Sequence, residues 1–196
     1  MTDQAFAAIR QAIIDDPDNA GFTAAGLLPL YTAGPDARIA VIGQAPGRKA
    51  QDSGIPWNDA SGAKLFDWLG VAEERFRDPA SFAILPMDFY FPGKGTGGDL
   101  PPRRSFAARW HAPLLGLMPR IRLTLLIGGY AQKQYLGRRA RPTLTETVRA
   151  YRDYLPEYLP LVHPSPLNFR WQARNPWFAA EVIPVLRERV AAALRT

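Results

Sequence analysis

Four short apolar runs, separated by segments with helical patterning, constrain the fold of this chain more than any other feature of its sequence. The runs are rich in Ile, Leu and Val and lack regular polar alternation, which is typical of strands buried on both faces of a sheet. Strands that alternate with helices favour a parallel sheet with helices on both of its faces. We therefore predict an α/β fold of three layers, α/β/α, around a central and mostly parallel four-stranded sheet. Its strands are predicted at residues 38–42, 81–85, 120–127 and 158–162.

Apolar residues at helical spacing, together with start and stop signals, predict helices between these runs. The final helix has Asn175 as its N-cap and Pro176 at its first helical position, and it is predicted to bend at Pro184. Residues 43–60 and 91–104 are predicted to be loops. The predicted helices are residues 2–15, 61–69, 106–118, 130–136, 143–151 and 176–194.

The composition excludes several kinds of functional site. The chain has no cysteine, so disulfides, zinc–thiolate sites, iron–sulfur clusters and cysteine nucleophiles are excluded. Only His111 and His163 are present, which also excludes a metal site built from several histidines. We expect no metal and no cofactor. His111 follows Trp110 in a predicted helix and is expected to pack rather than to react.

The length of the chain suits one domain, and no linker divides it, so residues 1–196 are predicted to form a single domain. The N-terminus lacks the basic start and apolar stretch of a secretory signal. No apolar run approaches the roughly 18 residues that cross a bilayer. We expect a cytoplasmic monomer that does not associate with membranes.

Positive charge is concentrated in the second half of the chain. Residues 1–99 carry eight Lys and Arg against 13 Asp and Glu, a net charge of −5, whereas residues 100–196 carry 16 against five, a net charge of +11. Most of this charge is arginine, whose forked guanidinium suits phosphate groups. The distribution indicates nucleic acid or another polyanion as a partner, or else a solvated basic face.

Three unusual segments follow predicted strands, at residues 43–59, 88–104 and 163–174. Ligands of such sheets bind at the carboxyl ends of the strands, so we expect these segments to form the functional site. The first begins with GQAPGRK, which is neither a phosphate loop, because Gly-Lys-Ser/Thr is missing, nor a dinucleotide fingerprint, because no helix begins at once. Later in the same segment, Trp57 is followed by two polar side chains. A tryptophan ring can stack on a base, and polar side chains beside it can form hydrogen bonds with the edge of that base.

The third segment begins with HPSPLN at the end of the last predicted strand. Its two prolines stiffen the backbone, and Ser165 can donate a hydrogen bond to a phosphate oxygen. Leu167 has no obvious role in a core, and Arg170 and Arg174 follow closely. An apolar wedge, a phosphate-binding hydroxyl and basic flanks are typical of proteins that flip a base out of DNA.

Together, GQAPG and HPSPLN resemble the two motifs of the uracil-DNA glycosylase superfamily. Their order, their separation of about 115 residues and their positions after the first and last strands all match. GQAPG…GIPW is similar to the GEAPG…GxPF pattern of the thermostable iron–sulfur branch. That branch needs four cluster cysteines, so the resemblance implies a relative without a cluster.

The resemblance implies a DNA repair glycosylase that hydrolyses the N-glycosidic bond of uracil in DNA, leaving free uracil and an abasic site. In the uracil pocket, Gly43, Gln44 and Ala45 would bond a carbonyl oxygen of uracil through their backbone. Trp57 would stack on the flipped base, and His163 would stabilise the charge that develops at O2. Uracil-containing DNA would be the partner, and no metal would be required.

The resemblance also assigns a DNA-binding surface. Ser165 would bind a phosphate, and Leu167 would fill the space that the flipped base leaves. From its composition, the glycine- and proline-rich loop that ends in Arg103 and Arg104 is predicted either to follow the DNA backbone or to be a disordered surface loop. The remaining residues assigned to DNA are Pro166, Asn168, Arg170 and Arg174.

Two features of the chemistry stay open at this point. Gln44 and Ala45 stand where many relatives carry an acid or amide that orients water, and Asp52 and Asp59 are the nearest carboxylates. We favour Asp59, which neighbours Trp57, although a residue that precedes a helix can equally be its N-cap. No asparagine follows the second strand to read uracil, and Asp88 would accept from N3–H there while Tyr90 or a backbone N–H donates to O4.

Two other functions are compatible with these motifs. One is a non-catalytic or weakly catalytic protein that binds uracil or abasic sites in DNA. The other is a glycosylase for another deaminated base, such as hypoxanthine.

Overall fold

A computed structural model describes residues 2–195 and contains a central sheet of four parallel strands in the order β2-β1-β5-β6. A separate two-stranded antiparallel hairpin lies between β2 and β5 in the chain. The strands are β1 (Ile39–Ile42), β2 (Phe82–Ile84), β3 (Lys94–Gly95), β4 (Gly98–Asp99), β5 (Leu123–Ile127) and β6 (Tyr158–Leu161). All four predicted strands are thus confirmed, each somewhat shorter than predicted.

The two central strands are buried on both faces. In β1, Ile39 pairs with Phe82 on one side and with Leu123 on the other. Every residue of β1, β2 and β5 is buried, which explains why their sequences are continuous apolar runs without alternation. Successive side chains nevertheless point to opposite faces, so Val41 packs in one core and Ile42 in the other.

Helices cover both faces of the sheet and complete the predicted three layers. One core lies under α4, α8 and α10, and the other lies under α1, α6 and α7. None of the helices within residues 2–195 is long and apolar enough to cross a membrane. The helices are α1 (Thr2–Asp15), α2 (Ala20–Ala24), α3 (Arg48–Ser53), α4 (Ala60–Leu69), α5 (Glu73–Arg77), α6 (Phe106–Gly116), α7 (Gly129–Leu136), α8 (Leu144–Arg149), α9 (Phe169–Arg174) and α10 (Ile183–Leu194).

Both segments predicted as loops contain regular structure. Residues 43–60 include α3, and residues 91–104 include the β3–β4 hairpin. A helix of six residues and strands of two are too short to show a period in sequence. The side chain of Gln51 on α3 is buried and bonds Leu28 O at 3.0 Å and the N–H of Phe91 at 2.9 Å, which fixes the helix between distant segments.

The final helix begins close to its predicted start, because residues 177–194 are helical without a break. A five-residue π-helical turn, Phe178–Val182, precedes α10. Pro184 lies in the first turn of α10 and therefore within the helical run, directly after the π-helical turn. The irregularity predicted at Pro184 thus takes the form of a π-helical turn just before the residue that lacks an N–H. The buried side chains of Phe178 and Val182 pack in the core beside α4.

Asp88 and Arg103 form a buried ion pair that joins three segments of the chain. The Asp88 side chain is 1% exposed, and its two oxygens accept from Arg103 Nε at 2.7 Å and Nη2 at 2.8 Å. Arg103 Nη1 donates to Asn19 Oδ1 at 2.7 Å. The guanidinium also lies over the rings of Phe22 and Phe106. Geometry of this kind, bidentate and stacked, is specific to arginine.

We expect Arg103→Ala to lower the free energy of unfolding by about 3–5 kcal/mol, because it leaves the buried Asp88 carboxylate without a counter-ion. Urea denaturation measures the effect. Arg104→Ala is the matched control, since Arg104 is the exposed neighbour and its loss should change stability by no more than about 0.5 kcal/mol. Equal unfolding free energies for the two variants would contradict the role of the ion pair.

Candidate functional site

A pocket of about 490 Å³ opens at the carboxyl ends of β1, β2 and β6. The loop after β1, residues 43–47 (the first loop), forms one wall, and the hairpin contributes Gly97, Gly98 and Asp99 to its rim. The segment after β6, residues 163–168 (the insertion segment), lies beside them. The expectation that segments after the strands converge on one site is therefore confirmed. Other lining residues include Trp57, Asp59 and Ser61.

The first loop is held by backbone and side-chain hydrogen bonds. Gly43 O accepts from the N–H of Met87 at 2.8 Å, and Gln44 O accepts from the N–H of Asp88 at 3.2 Å, so the pairing between β1 and β2 continues beyond both strands. The Gln44 side chain donates from Nε2 to Leu100 O at 3.3 Å. This bond links the first loop to the residue that follows the hairpin.

Trp57 occupies an unusual backbone conformation beside His163. Its φ of 57° lies in the left-handed region, and among residues 2–195 it is the one non-glycine residue with a positive φ. Its ring stacks on the imidazole of His163 with 5.5 Å between centroids. A Cβ at Gly62 would come within 1.8 Å of Trp57 O, and one at Gly43 within 3.2 Å of Trp57 Cζ2. Both glycines therefore make room for the tryptophan.

Asp59 serves α4 and the pocket at the same time. Its Oδ1 accepts from the N–H of Gly62 at 2.9 Å and caps the helix. Its Oδ2 lies 3.9 Å from the position that a Cβ would take at Gly47 in the first loop. The structure thus gives Asp59 the capping role, and it leaves a second carboxylate oxygen beside the pocket.

The hydrogen bonds of His163 determine where its proton lies. Nδ1 accepts from the backbone N–H of Ser165 at 3.1 Å, so the neutral ring carries its proton on Nε2. Burial lowers the pKa of His163 below its ordinary value, while the nearby carboxylates of Asp59 and Asp99 oppose that shift. The imidazole is therefore a neutral N–H donor at pH 7.

The insertion segment is held in shape by short-range hydrogen bonds. Ser165 Oγ accepts from the N–H of Leu167 at 3.2 Å, and Asn168 Nδ2 donates to His163 O at 2.8 Å. Pro166–Asn168 form a 3₁₀ turn, and the Leu167 side chain at its centre is 87% exposed. Because the Ser165 hydroxyl acts only as an acceptor here, its own O–H is available to donate.

A family model described as the uracil DNA glycosylase superfamily matches residues 31–187. The match contains all four strands of the central sheet, the first loop and the insertion segment. The chain belongs to the uracil DNA glycosylase superfamily. Membership supports a DNA glycosylase, a hydrolase that acts in DNA repair, with DNA as its substrate.

The structure brings most of the predicted site residues of this superfamily member to one place. Nine of the residues predicted for catalysis, base binding or DNA binding line the pocket, as do two polar residues that were not predicted, Ser61 and Asp99. The predicted residues that line it are Gly43, Gln44, Ala45, Trp57, Asp59, His163, Ser165, Leu167 and Asn168.

Other predicted residues lie elsewhere. The prediction that Asp88 reads uracil is not supported, because its carboxylate is fully used by Arg103 and by the N–H of Tyr90 and is absent from the pocket lining. Arg103 itself is engaged in that ion pair, so its guanidinium is not free to follow a DNA backbone. Arg104, Arg170 and Arg174 are exposed.

Asp99 is a pocket carboxylate that sequence reasoning missed. It forms an ion pair with Lys94 at 2.7 Å across the hairpin, and it pairs with the same residue in the strand register. The glycine-rich run before it gave the one signal in sequence, since such a run can form a tight hairpin. Nothing local indicates that this hairpin lies over the end of β1.

We expect the pKa of His163 to lie below 6.5 and that of His111 to be about 4. His111 is buried between Pro86 O and the Tyr135 hydroxyl, so charging it is costly. The unfolded chain then binds more protons than the folded chain, and the free energy of unfolding decreases as the pH falls below about 6.5. NMR titration of the two imidazoles measures both values.

The variant His163→Gln removes one of the two imidazole signals and thereby assigns them. A His163 pKa at or above 6.5 would contradict the neutral N–H donor that the structure indicates.

Proposed function

We propose that the protein is a monofunctional uracil-DNA glycosylase that cleaves the bond between N1 of a flipped uracil and C1′ of its deoxyribose. The observation that carries this proposal is the state of His163, a neutral imidazole beside the pocket at the carboxyl ends of the strands, whose Nε2–H has no hydrogen-bond partner within residues 2–195. A neutral donor of this kind suits a base that leaves as an anion.

The chemistry follows from the charge that develops. As the N1–C1′ bond breaks, its electron pair moves onto the uracil ring and the sugar becomes an oxocarbenium-like cation. His163 donates from Nε2–H to uracil O2, and backbone N–H groups of the first loop donate to a carbonyl oxygen of the base. Donors that are already aimed at a developing oxyanion contribute about 3–4 kcal/mol each in comparable enzymes. Water then adds to C1′ and loses a proton, which gives the abasic site.

We assign Asp59 as the general base that accepts a proton from the attacking water. One of its oxygens is occupied by the α4 cap, and the other lies near the first loop, where it can accept the proton that water loses. The side-chain amide of Gln44 is fixed by Leu100 O through its nitrogen, which leaves its carbonyl oxygen to orient the water. Gln44 cannot itself act as a base, so the carboxylate is needed for the proton.

The remaining pocket residues bind the substrate. Trp57 offers a ring face for the uracil, and Ser165 offers a hydroxyl donor for the phosphate next to it. Leu167 enters the stack that the base has left, and exposed arginines supply salt-dependent attraction to the backbone. Flipping costs a few kcal/mol, which these contacts offset.

A glycosylase for another deaminated base is the second candidate, and the position of Asp88 favours it. With Asp88 buried against Arg103, the segment 85–91 that directly follows β2 contributes only Pro86 to the pocket, and Pro86 has no side-chain donor or acceptor for the edge of the base. All deaminated bases share a carbonyl group that His163 and the first loop could bind. Oligonucleotides that contain uracil, hypoxanthine or xanthine in the same sequence separate the two functions.

We expect the folded protein to release uracil from uracil-containing DNA, and His163→Ala to slow this step by about 10²-fold or more. Single-turnover rates with enzyme in excess isolate the chemical step, and a gel-shift assay with abasic-site DNA tests whether binding survives. Tight binding of abasic DNA by the wild-type protein without any excision would indicate a non-catalytic binding protein instead.

We expect Asp59→Asn to reduce the single-turnover rate by about 10²–10⁴-fold, the usual contribution of a general base. Asparagine caps a helix about as well as aspartate, so α4 and the stability of the protein should be preserved. Asp52→Asn is the matched control, because Asp52 is exposed and does not line the pocket. If Asp99→Asn abolishes activity while Asp59→Asn retains it, the water is activated by Asp99 and our assignment is wrong.

A further inference from the structure

Two apolar side chains project from the protein next to the pocket. Leu167 is 87% exposed and Phe169 is 62% exposed, which makes them the two most exposed large apolar residues in the described part of the chain. The exposure of Leu167 is explained by its proposed role as a wedge that enters the DNA base stack. The exposure of Phe169, a large aromatic residue that begins α9, has no explanation in the fold or in the chemistry of the pocket.

The segment that carries both side chains is anchored at each end. On one side, Asn168 Nδ2 donates to His163 O, and the N–H of Asn168 donates to Ser165 O at 2.9 Å. On the other side, Trp171 donates from Nε1 to Thr145 Oγ1 at 2.9 Å, and its ring packs against Phe178 at 5.5 Å. The backbone that carries the two apolar groups is thus held in place without DNA, which lowers the entropic cost of contact.

The two side chains differ in their position relative to the pocket. Leu167 lies in the 3₁₀ turn, whereas Phe169 is the first residue of α9. Leu167 and Asn168 line the pocket, whereas Phe169 does not. If Leu167 enters the space vacated by the flipped base, Phe169, which lies outside the pocket, is left to contact another base of the duplex.

The charge around Phe169 suits nucleic acid. The guanidinium of Arg170 lies 5.6 Å from the centre of the Phe169 ring, and Arg174 follows one helical turn later on α9. Both arginines are exposed. An aromatic ring flanked by arginines can stack on a base while the guanidinium groups bind phosphates, and stacking of this kind tolerates any base.

We propose that Leu167 and Phe169 form a two-part wedge in duplex DNA, in which Phe169 stacks on a base of the strand opposite the flipped nucleotide. Leu167 fills the gap in the strand that carries the flipped nucleotide, and Phe169 stabilises the opposite base, which has lost its pairing partner. The protein then depends on Phe169 for duplex DNA and not for single-stranded DNA. This inference rests on the proposed function, because it uses base flipping.

The test compares Phe169→Ala with the wild-type protein on a duplex containing a G·U pair and on the same uracil-containing single strand. We expect single-turnover excision to become about tenfold slower on the duplex, since one base–aromatic stack is lost, and to stay unchanged on the single strand. Phe169→Trp should retain the duplex rate. Leu28→Ala is the matched control, because it removes a 57% exposed apolar side chain outside the pocket and the insertion segment.

Fluorescence of 2-aminopurine tests the contact without catalysis. With 2-aminopurine opposite a stable abasic-site analogue, binding of the wild-type protein should quench the emission by stacking, and binding of Phe169→Ala should quench it less. If the wild-type protein releases no uracil from either substrate, the proposed function fails while this measurement still tests the wedge. Equal quenching by both proteins, or an equal loss of rate on both substrates, would overturn the inference.

Discussion

The ion pair between Asp88 and Arg103 is the interaction on which the arrangement of the site depends. It ties the segment after β2 to the segment after the hairpin, and Arg103 extends the connection to Asn19 near the N-terminus. Leu100, three residues before Arg103, accepts the hydrogen bond that fixes Gln44. Here a guanidinium surrounded by carboxylate, amide and aromatic rings joins segments of a chain that has no cysteine.

Much of the fold was predictable because its strands are buried on both faces. A strand such as β5 must be apolar at every position, and this requirement leaves a run that is visible without alignment. Elements that are fixed by long-range contacts show no comparable pattern in the sequence and were not predicted. The helix α3 depends on Gln51 bonding Leu28 and Phe91, and the hairpin has strands of only two residues. Many of the residues that line the pocket could be predicted from the two motifs, because these motifs directly follow β1 and β6.

The sequence could not show the roles of some site residues, because the role of a polar side chain depends on which distant group it bonds. Asp88 follows a strand, as a base reader would, but Arg103 lies 15 residues farther on and takes both carboxylate oxygens. Local sequence cannot show which of the many arginines reaches a given aspartate. The tautomer of His163 was equally hidden, since it depends on the direction of one backbone N–H two residues away.

At position 57, the residue that would be best for stability differs from the residue that the proposed function requires, because Trp57 has a left-handed backbone conformation. A left-handed conformation costs a residue with a side chain about 1–2 kcal/mol, and glycine or asparagine would adopt it more readily. A population of variants selected for thermal stability alone would therefore tend to lose this tryptophan. Under the proposed function, selection for DNA repair would keep an aromatic residue at this position, because glycine and asparagine offer no ring face beside His163. Position 57 is thus where the two selections should diverge most clearly.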